Sequence, residues 1–251
     1  MENLHLSQID IQAGKTIEPF FADIINHCKE DIVSMYVTGS AVTKDFHPKS
    51  SDINTLIIVK TIKISFFDFI ALMGKRYGKK GVCAPFIMTP DYINRSLEVF
   101  PLEFLEMKLI HQLVYGEDIL SAITIEKADA RLQCERELKG KLQTLCHGYI
   151  KTLGDRKTLA ELLTGSLSGF FPIFRGILFL YGQEIPTEKV NVLTALEKCC
   201  NRNILVFKRL LEIRHTGASP TLEESKELFR GLYLELDTLA REVDEFEAKL
   251  P

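Results

Sequence analysis

The sequence lacks a basic excess, a paired-cysteine motif, an internal repeat and a low-complexity stretch, and each absence removes a class of function. Formal net charge is -3, and acidic residues outnumber basic ones up to Ala122 and balance them beyond it. Neither half is therefore an electrostatic platform for nucleic acid. The densest basic patch is Lys75, Arg76, Lys79 and Lys80 around Tyr77. It falls at a predicted helix end, where cations suit the helix dipole. The six cysteines include no C-x-x-C pair and no zinc-ligand spacing, so reduced, buried thiols are expected. Residues 1–14 carry Glu2 and Asp10 and no apolar run of signal-peptide length, which leads to the expectation of a cytoplasmic protein.

Long uninterrupted hydrophobic runs are also missing. The best approach to one, residues 162–181, contains Pro172, several small residues and the charged Arg175. A buried helix or helix pair is expected there, not a membrane span. A guanidinium inside such a helix needs a partner, and a glutamate of the same bundle or an interdomain cleft would supply one.

What is present suits a soluble globular chain with a sizeable core. At 251 residues, 46% hydrophobic and 26% charged, the chain is long enough for two domains. Helical spacing over residues 16–29 is followed by two runs rich in β-branched residues, 32–37 and 53–59, with a turn-rich loop between them. Further readings are a helix over 66–76, a short strand over 84–88, a short helix from Pro90 to Leu97, a strand over 102–109 and a surface connection at 115–118. Beyond Ile123 the strand signal stops. Helical patterns cover 126–153, 157–181, 187–200, 201–214 and 222–248. The expected class is α+β, with a mixed sheet and its helices over 1–122 and an all-helical bundle over 123–251.

Chemistry is concentrated between the first two strands. Thr38-Gly39-Ser40 ends one strand, and Ser51-Asp52-Ile53-Asn54 opens the next, about a dozen positions later. A glycine–serine turn lets backbone N–H groups and a hydroxyl approach a phosphate with no side chain between them. Residues at i and i+2 of a strand point from one face, so Asp52 and Asn54 project together. The segment TGSAVTKDFHPKSSDINTLIIV resembles the signature of the polymerase-β-like nucleotidyltransferase superfamily, a Gly-Ser followed by paired acidic residues.

That resemblance implies a nucleoside triphosphate held at Gly39, Ser40 and Asn54, with Mg2+ or Mn2+ bound by Asp52 and a third acid. It implies transfer of a nucleoside monophosphate, AMP in the first instance, to a hydroxyl of a small molecule or protein. Glu103 is preferred as third acid and catalytic partner of Asp52, because it lies nearer the start of the 102–109 strand. Glu106, on the opposite face of that strand, is the alternative. The helical second half matches the general plan of small-molecule nucleotidyltransferases such as the aminoglycoside-modifying type, in which it shapes the acceptor pocket. Asn54 departs from the pattern, since an amide supplies a neutral oxygen where the family has a carboxylate. A second expectation is therefore a nucleotide-binding or interaction module that keeps the fold and has lost transfer. Lys44, Lys49 and His47 in the intervening loop are read as solvated or turn residues. Nucleic acid and membrane are not expected partners, and a homo-oligomer is left open.

Overall fold

The computed structural model describes residues 4–246. Glu2 and Ala248, on which two of the readings above touch, lie outside the described residues. The chain divides into two compact units, 1–125 and 126–251.

The first unit is built on a four-stranded mixed sheet. Helix α1 (Ile11–Cys28) begins earlier than its apolar spacing predicts, because the Asp10 carboxylate accepts from the N–H groups of Gln12 and Ala13 and caps it. Strands β1 (Ile32–Thr38) and β2 (Asn54–Val59) follow, then α2 (Ile64–Tyr77) and β3 (Phe86–Met88). Pro90 at the first turn and the Thr89 hydroxyl as cap open α3 (Pro90–Ser96). After it come α4 (Pro101–Leu109) and β4 (His111–Gly116). The strand order is β3-β2-β1-β4, with β1 antiparallel to both β2 and β4, and β2 parallel to β3. One sheet face, carrying Met35, Val37, Ile53, Ile57 and Val59, belongs to a single buried cluster with Ile17, Phe20, Phe21 and Ile24 of α1 and with Phe66, Ile70, Met73 and Tyr77 of α2. The opposite face carries Ser34, Tyr36, Thr38, Leu56 and Ile58.

Two readings of this unit are corrected. Residues 102–109 form α4, a helix, not a strand. Pro101 sits at its first turn, Leu102, Leu105 and Leu109 fall at helical spacing, and the Glu106 carbonyl accepts from Ile110 N at 2.9 Å to close it. The strand that completes the sheet comes next, so Tyr115 and Gly116 are not a surface connection but the end of β4. Gly116 is required there: at φ +85 its position would place a Cβ 2.0 Å from the Val33 carbonyl oxygen.

Among the described residues the second unit is all helix: α5 (Lys127–Lys151), α6 (Arg156–Ser166), α7 (Phe171–Leu180), α8 (Lys189–Cys200), α9 (Leu205–Thr216) and α10 (Leu222–Glu245). The expected single helix over 157–181 is two helices joined by a 3-10 turn, Leu167–Phe170. The stretch Arg156–Leu180 is long and apolar enough to cross a membrane by composition, yet more than half of its most apolar window, 56%, is buried inside the fold. Phe170, Phe174 and Phe207 meet edge-on or stacked, with Phe174 and Phe207 centroids 4.8 Å apart. Arg175 is 3% exposed. Its guanidinium donates to the Pro186 carbonyl at 3.1 Å and the Thr187 carbonyl at 2.5 Å, tying α7 to the loop before α8.

Candidate functional site

The residues singled out between β1 and β2 come together at one end of the sheet. Thr38 pairs directly with Asn54 on one side and with His111 on the other. Directly paired positions share a face, so Asn54, Thr38 and His111 form a row across three strands. Ile53 and Thr55 are buried, while Asp52 is exposed and Asn54 half-buried. This alternation puts Asp52 on the same face as Asn54.

Gly39 follows Thr38 in a 3-10 turn, Gly39–Val42, with φ +72. A Cβ at this position would lie 3.5 Å from Asn54 Nδ2, an ordinary contact. The glycine is thus demanded by backbone conformation and not by lack of room. Its N–H donates to the Ile110 carbonyl at 3.1 Å, so of the turn's amides this one is committed to the sheet and does not face a ligand. The Ser40 carbonyl accepts from Thr43 N at 2.9 Å and from its hydroxyl at 3.2 Å, and Ala41 O accepts from Asp10 N at 2.9 Å, which seats the start of α1 on the turn. The loop onward is ordered by its own bonds: His47 N donates to Ser51 Oγ at 3.0 Å, and Ser50 and Ser51 N–H groups return to the His47 carbonyl. His47 is a turn residue, as expected, and Lys44 and Lys49 are exposed on the same loop.

Glu103 stands in the first turn of α4 and is exposed, with Glu106 one helical turn further on and half-buried. The strand alternation used to choose between them does not apply to a helix. The sheet position beside β1 is filled instead by β4, which reads His-Gln-Leu-Val-Tyr-Gly and carries no acid.

His111 was passed over in the sequence because no carboxylate lies at a recognisable spacing from it. In the fold its Nε2 is 3.5 Å from Asp118, its Nδ1 is 3.1 Å from the Lys108 carbonyl, and its ring meets Tyr36 edge-on at 5.4 Å. Burial pushes the Asp118 carboxyl up, but bonds from the Ser121 hydroxyl and N–H and the charge and hydrogen bond of His111 outweigh it. The net effect holds Asp118 below its ordinary value. The Tyr36 hydroxyl donates to Glu117 O at 2.8 Å and accepts from Ile119 N at 2.7 Å, fixing the same segment.

Cys83 is the second residue that sequence reading missed. A parallel bridge joins Ile53 to Val82, and Cys83 N donates to the Ile53 carbonyl at 3.0 Å. Val82 is buried with Ile53, which turns half-buried Cys83 to the face of Asp52 and Asn54. The thiol is pushed up by burial first, then by the Asp52 charge beside it and a hydrogen bond to that carboxylate.

The donors on this face are the Asp52 carboxylate, the Asn54 amide, the Cys83 thiol, the Thr38 hydroxyl and the His111 imidazole, whose two nitrogens are engaged by the Lys108 carbonyl and Asp118. Among the described residues no three His, Cys, Asp or Glu side chains gather to hold a metal. A two-ion magnesium arrangement needs several carboxylate oxygens around closely spaced ions, and this set does not fit it.

No protein-family model matches the chain, and no curated protein matches it. Among solved structures, the chain is similar to the crystal structure of spectinomycin adenyltransferase AAD(9) from Enterococcus faecialis with ATP and spectinomycin. The TM-score is 0.53 at 13% identity, over 92% of this chain and 99% of that one. The fold resembles that of this solved structure. At this identity the likeness extends to the α+β architecture and its helical second unit, and the chemistry must be argued from the site itself.

Proposed function

We propose that the first unit is a nucleotide site of nucleotidyltransferase type, binding a nucleoside triphosphate at the Gly39–Ser40 turn and the start of β2. The observation that carries the reading is the direct pairing of Thr38 with Asn54, which sets the glycine–serine turn beside Asp52 and Asn54 at one sheet end. The fold shared with an adenyltransferase supports it. On this reading the reaction is attack of an acceptor hydroxyl on the α-phosphorus of the triphosphate, giving a nucleoside monophosphate ester and releasing pyrophosphate. AMP is the first candidate group, and a small molecule or protein is the acceptor.

A second reading, a nucleotide-binding module without transfer, is favoured by Asn54 and by the acid-free β4. Asp118 is engaged by Ser121 and His111, so an ion there would rest on Asp52 and the phosphates, with Glu103 contributing only from α4. Calorimetric titration with each of the four nucleoside triphosphates, with and without Mg2+ or Mn2+, tests both readings. Binding strengthened by the ion, with pyrophosphate release in the presence of acceptor, supports transfer. Binding indifferent to the ion with no release supports the module. Absence of binding under every condition refutes both.

A further inference from the structure

We propose that the outward face of α2 is a docking surface for an anionic lipid bilayer, its apolar side chains entering the interface while lysines at both ends meet the headgroups. The proposal is independent of the nucleotide-site reading. Phe66, Ile70, Met73 and Tyr77 turn α2 into the core, and helical spacing then sends Ile64, Phe67, Ala71 and Leu72 outward. Ile64 is 73% exposed, Leu72 62% and Phe67 39%. Large apolar side chains grouped on one exposed face, not scattered singly, mark an interaction site. Cations flank them. Lys60 and Lys63 stand before the helix, Lys75 and Arg76 in its last turn, and Lys79 and Lys80 in the 3-10 turn Gly78–Lys80, with Asp68 the one acid from 60 to 80 in a chain of net charge -3. The helix dipole accounts for the cations at the C-terminal end alone. At the other end it disfavours them, yet α2 has Lys63 as its N-cap and no acid in its first turn. Lys63 is held by Asp31 at 2.6 Å and Arg76 by Asp23 at 2.7 Å, whereas among the described residues no ion pair engages Lys60, Lys75, Lys79 or Lys80. Lysine is a strongly hydrated point charge, depleted from protein–protein interfaces and drawn without fixed direction to anionic headgroups, so the composition favours a bilayer over a folded partner. Such a helix lies flat on the bilayer and does not span it.

The test is co-sedimentation of full-length protein with vesicles of phosphatidylcholine alone and of phosphatidylcholine mixed two-to-one with phosphatidylserine. Wild type should pellet with the mixed vesicles and not with phosphatidylcholine, and less so as salt is raised. Lys79→Gln with Lys80→Gln should weaken the partition about thirty-fold, at about five-fold for each lysine. Ile64→Ser with Leu72→Ser should weaken it about ten-fold or more at unchanged charge. These four side chains are exposed, so melting temperatures should stay at the wild-type value and keep loss of binding apart from loss of fold. Asp68→Asn, which removes the one acid of the face, should strengthen the partition by up to about five-fold, a gain that no loss of fold can mimic. Partition that the apolar pair does not alter would reduce the surface to a charged patch and overturn the proposal. Equal partition on both kinds of vesicle, or none on either, would overturn it as well. Retention on immobilised poly-glutamate with the vesicles ignored would assign the face to an acidic protein, again against the proposal.

Discussion

Gly39 and Asn54 show how differently two neighbouring residues constrain the site. Gly39 holds φ +72 with room to spare beside it, so Gly39→Ala tests conformation alone. A left-handed alanine costs about 1 kcal/mol, and denaturant unfolding should register that loss with an unchanged m-value. Asn54 is the reverse, a strand residue whose side chain and not its backbone is the thing to test. Asn54→Asp places a second carboxylate on the face of Asp52. Without a divalent ion the two charges repel, and with one they are neutralised together. The melting temperature of Asn54→Asp should therefore fall slightly below wild type in chelator and rise above it with Mn2+ and ATP. An identical response of the two proteins to Mn2+ would show that this face holds no ion.

At the scale of elements, the residues around the first hairpin were legible because turn chemistry and strand pattern agree there. Residues 32–37 and 53–59 are rich in β-branched residues, and a glycine at position 39 tolerates the left-handed conformation that the turn takes. Residues 101–116 were not legible, since Leu102-Glu103-Phe104-Leu105 fits either period over so short a run, and the helix was decided by Pro101 and by closure through Glu106 and Ile110. That one misassignment displaced the fourth strand and hid His111 and its partner. Cys83 was invisible for a related reason, because its neighbour Asp52 is reached only through a parallel pairing that no local pattern announces. The β4 connection also has a pH signature. Asp118, ordinarily near 3.8, is held lower in the folded chain, so the stability it contributes is present above 3.8 and is lost as pH falls through its folded value. Melting temperatures of wild type and Asp118→Asn should differ at pH 5 and converge at roughly pH 2. A gap that persists in acid would assign the difference to packing.

Over the whole molecule, the switch from mixed patterns to purely helical ones near residue 123 was plain because the second unit contains no strand among its described residues. The interior of that unit was less so. A continuous apolar pattern over 157–181 concealed the 3-10 break at Leu167–Phe170, and the Pro186 and Thr187 carbonyls that accept from Arg175 belong to a loop that no side-chain pattern encodes. Each unit has buried residues of its own, including the phenylalanine cluster of the second. Residues 126–251 produced alone should accordingly give a helical circular dichroism spectrum and a cooperative melt, and a non-cooperative transition would show that this unit does not hold its structure by itself.

The sheet's strand order also dictates when its parts can assemble. β1 meets β2 across the short loop between them, a local event with little chain to close, but β4 reaches β1 only after α2, β3, α3 and α4 have been laid down between. The bond from Gly39 N to Ile110 O and the pairing of Thr38 with His111 must therefore wait for that distant contact. A refolding chain would first show a hairpin with its glycine–serine turn unbraced, and on the proposed nucleotide-site reading would acquire affinity only in the slower phase, when β4 docks.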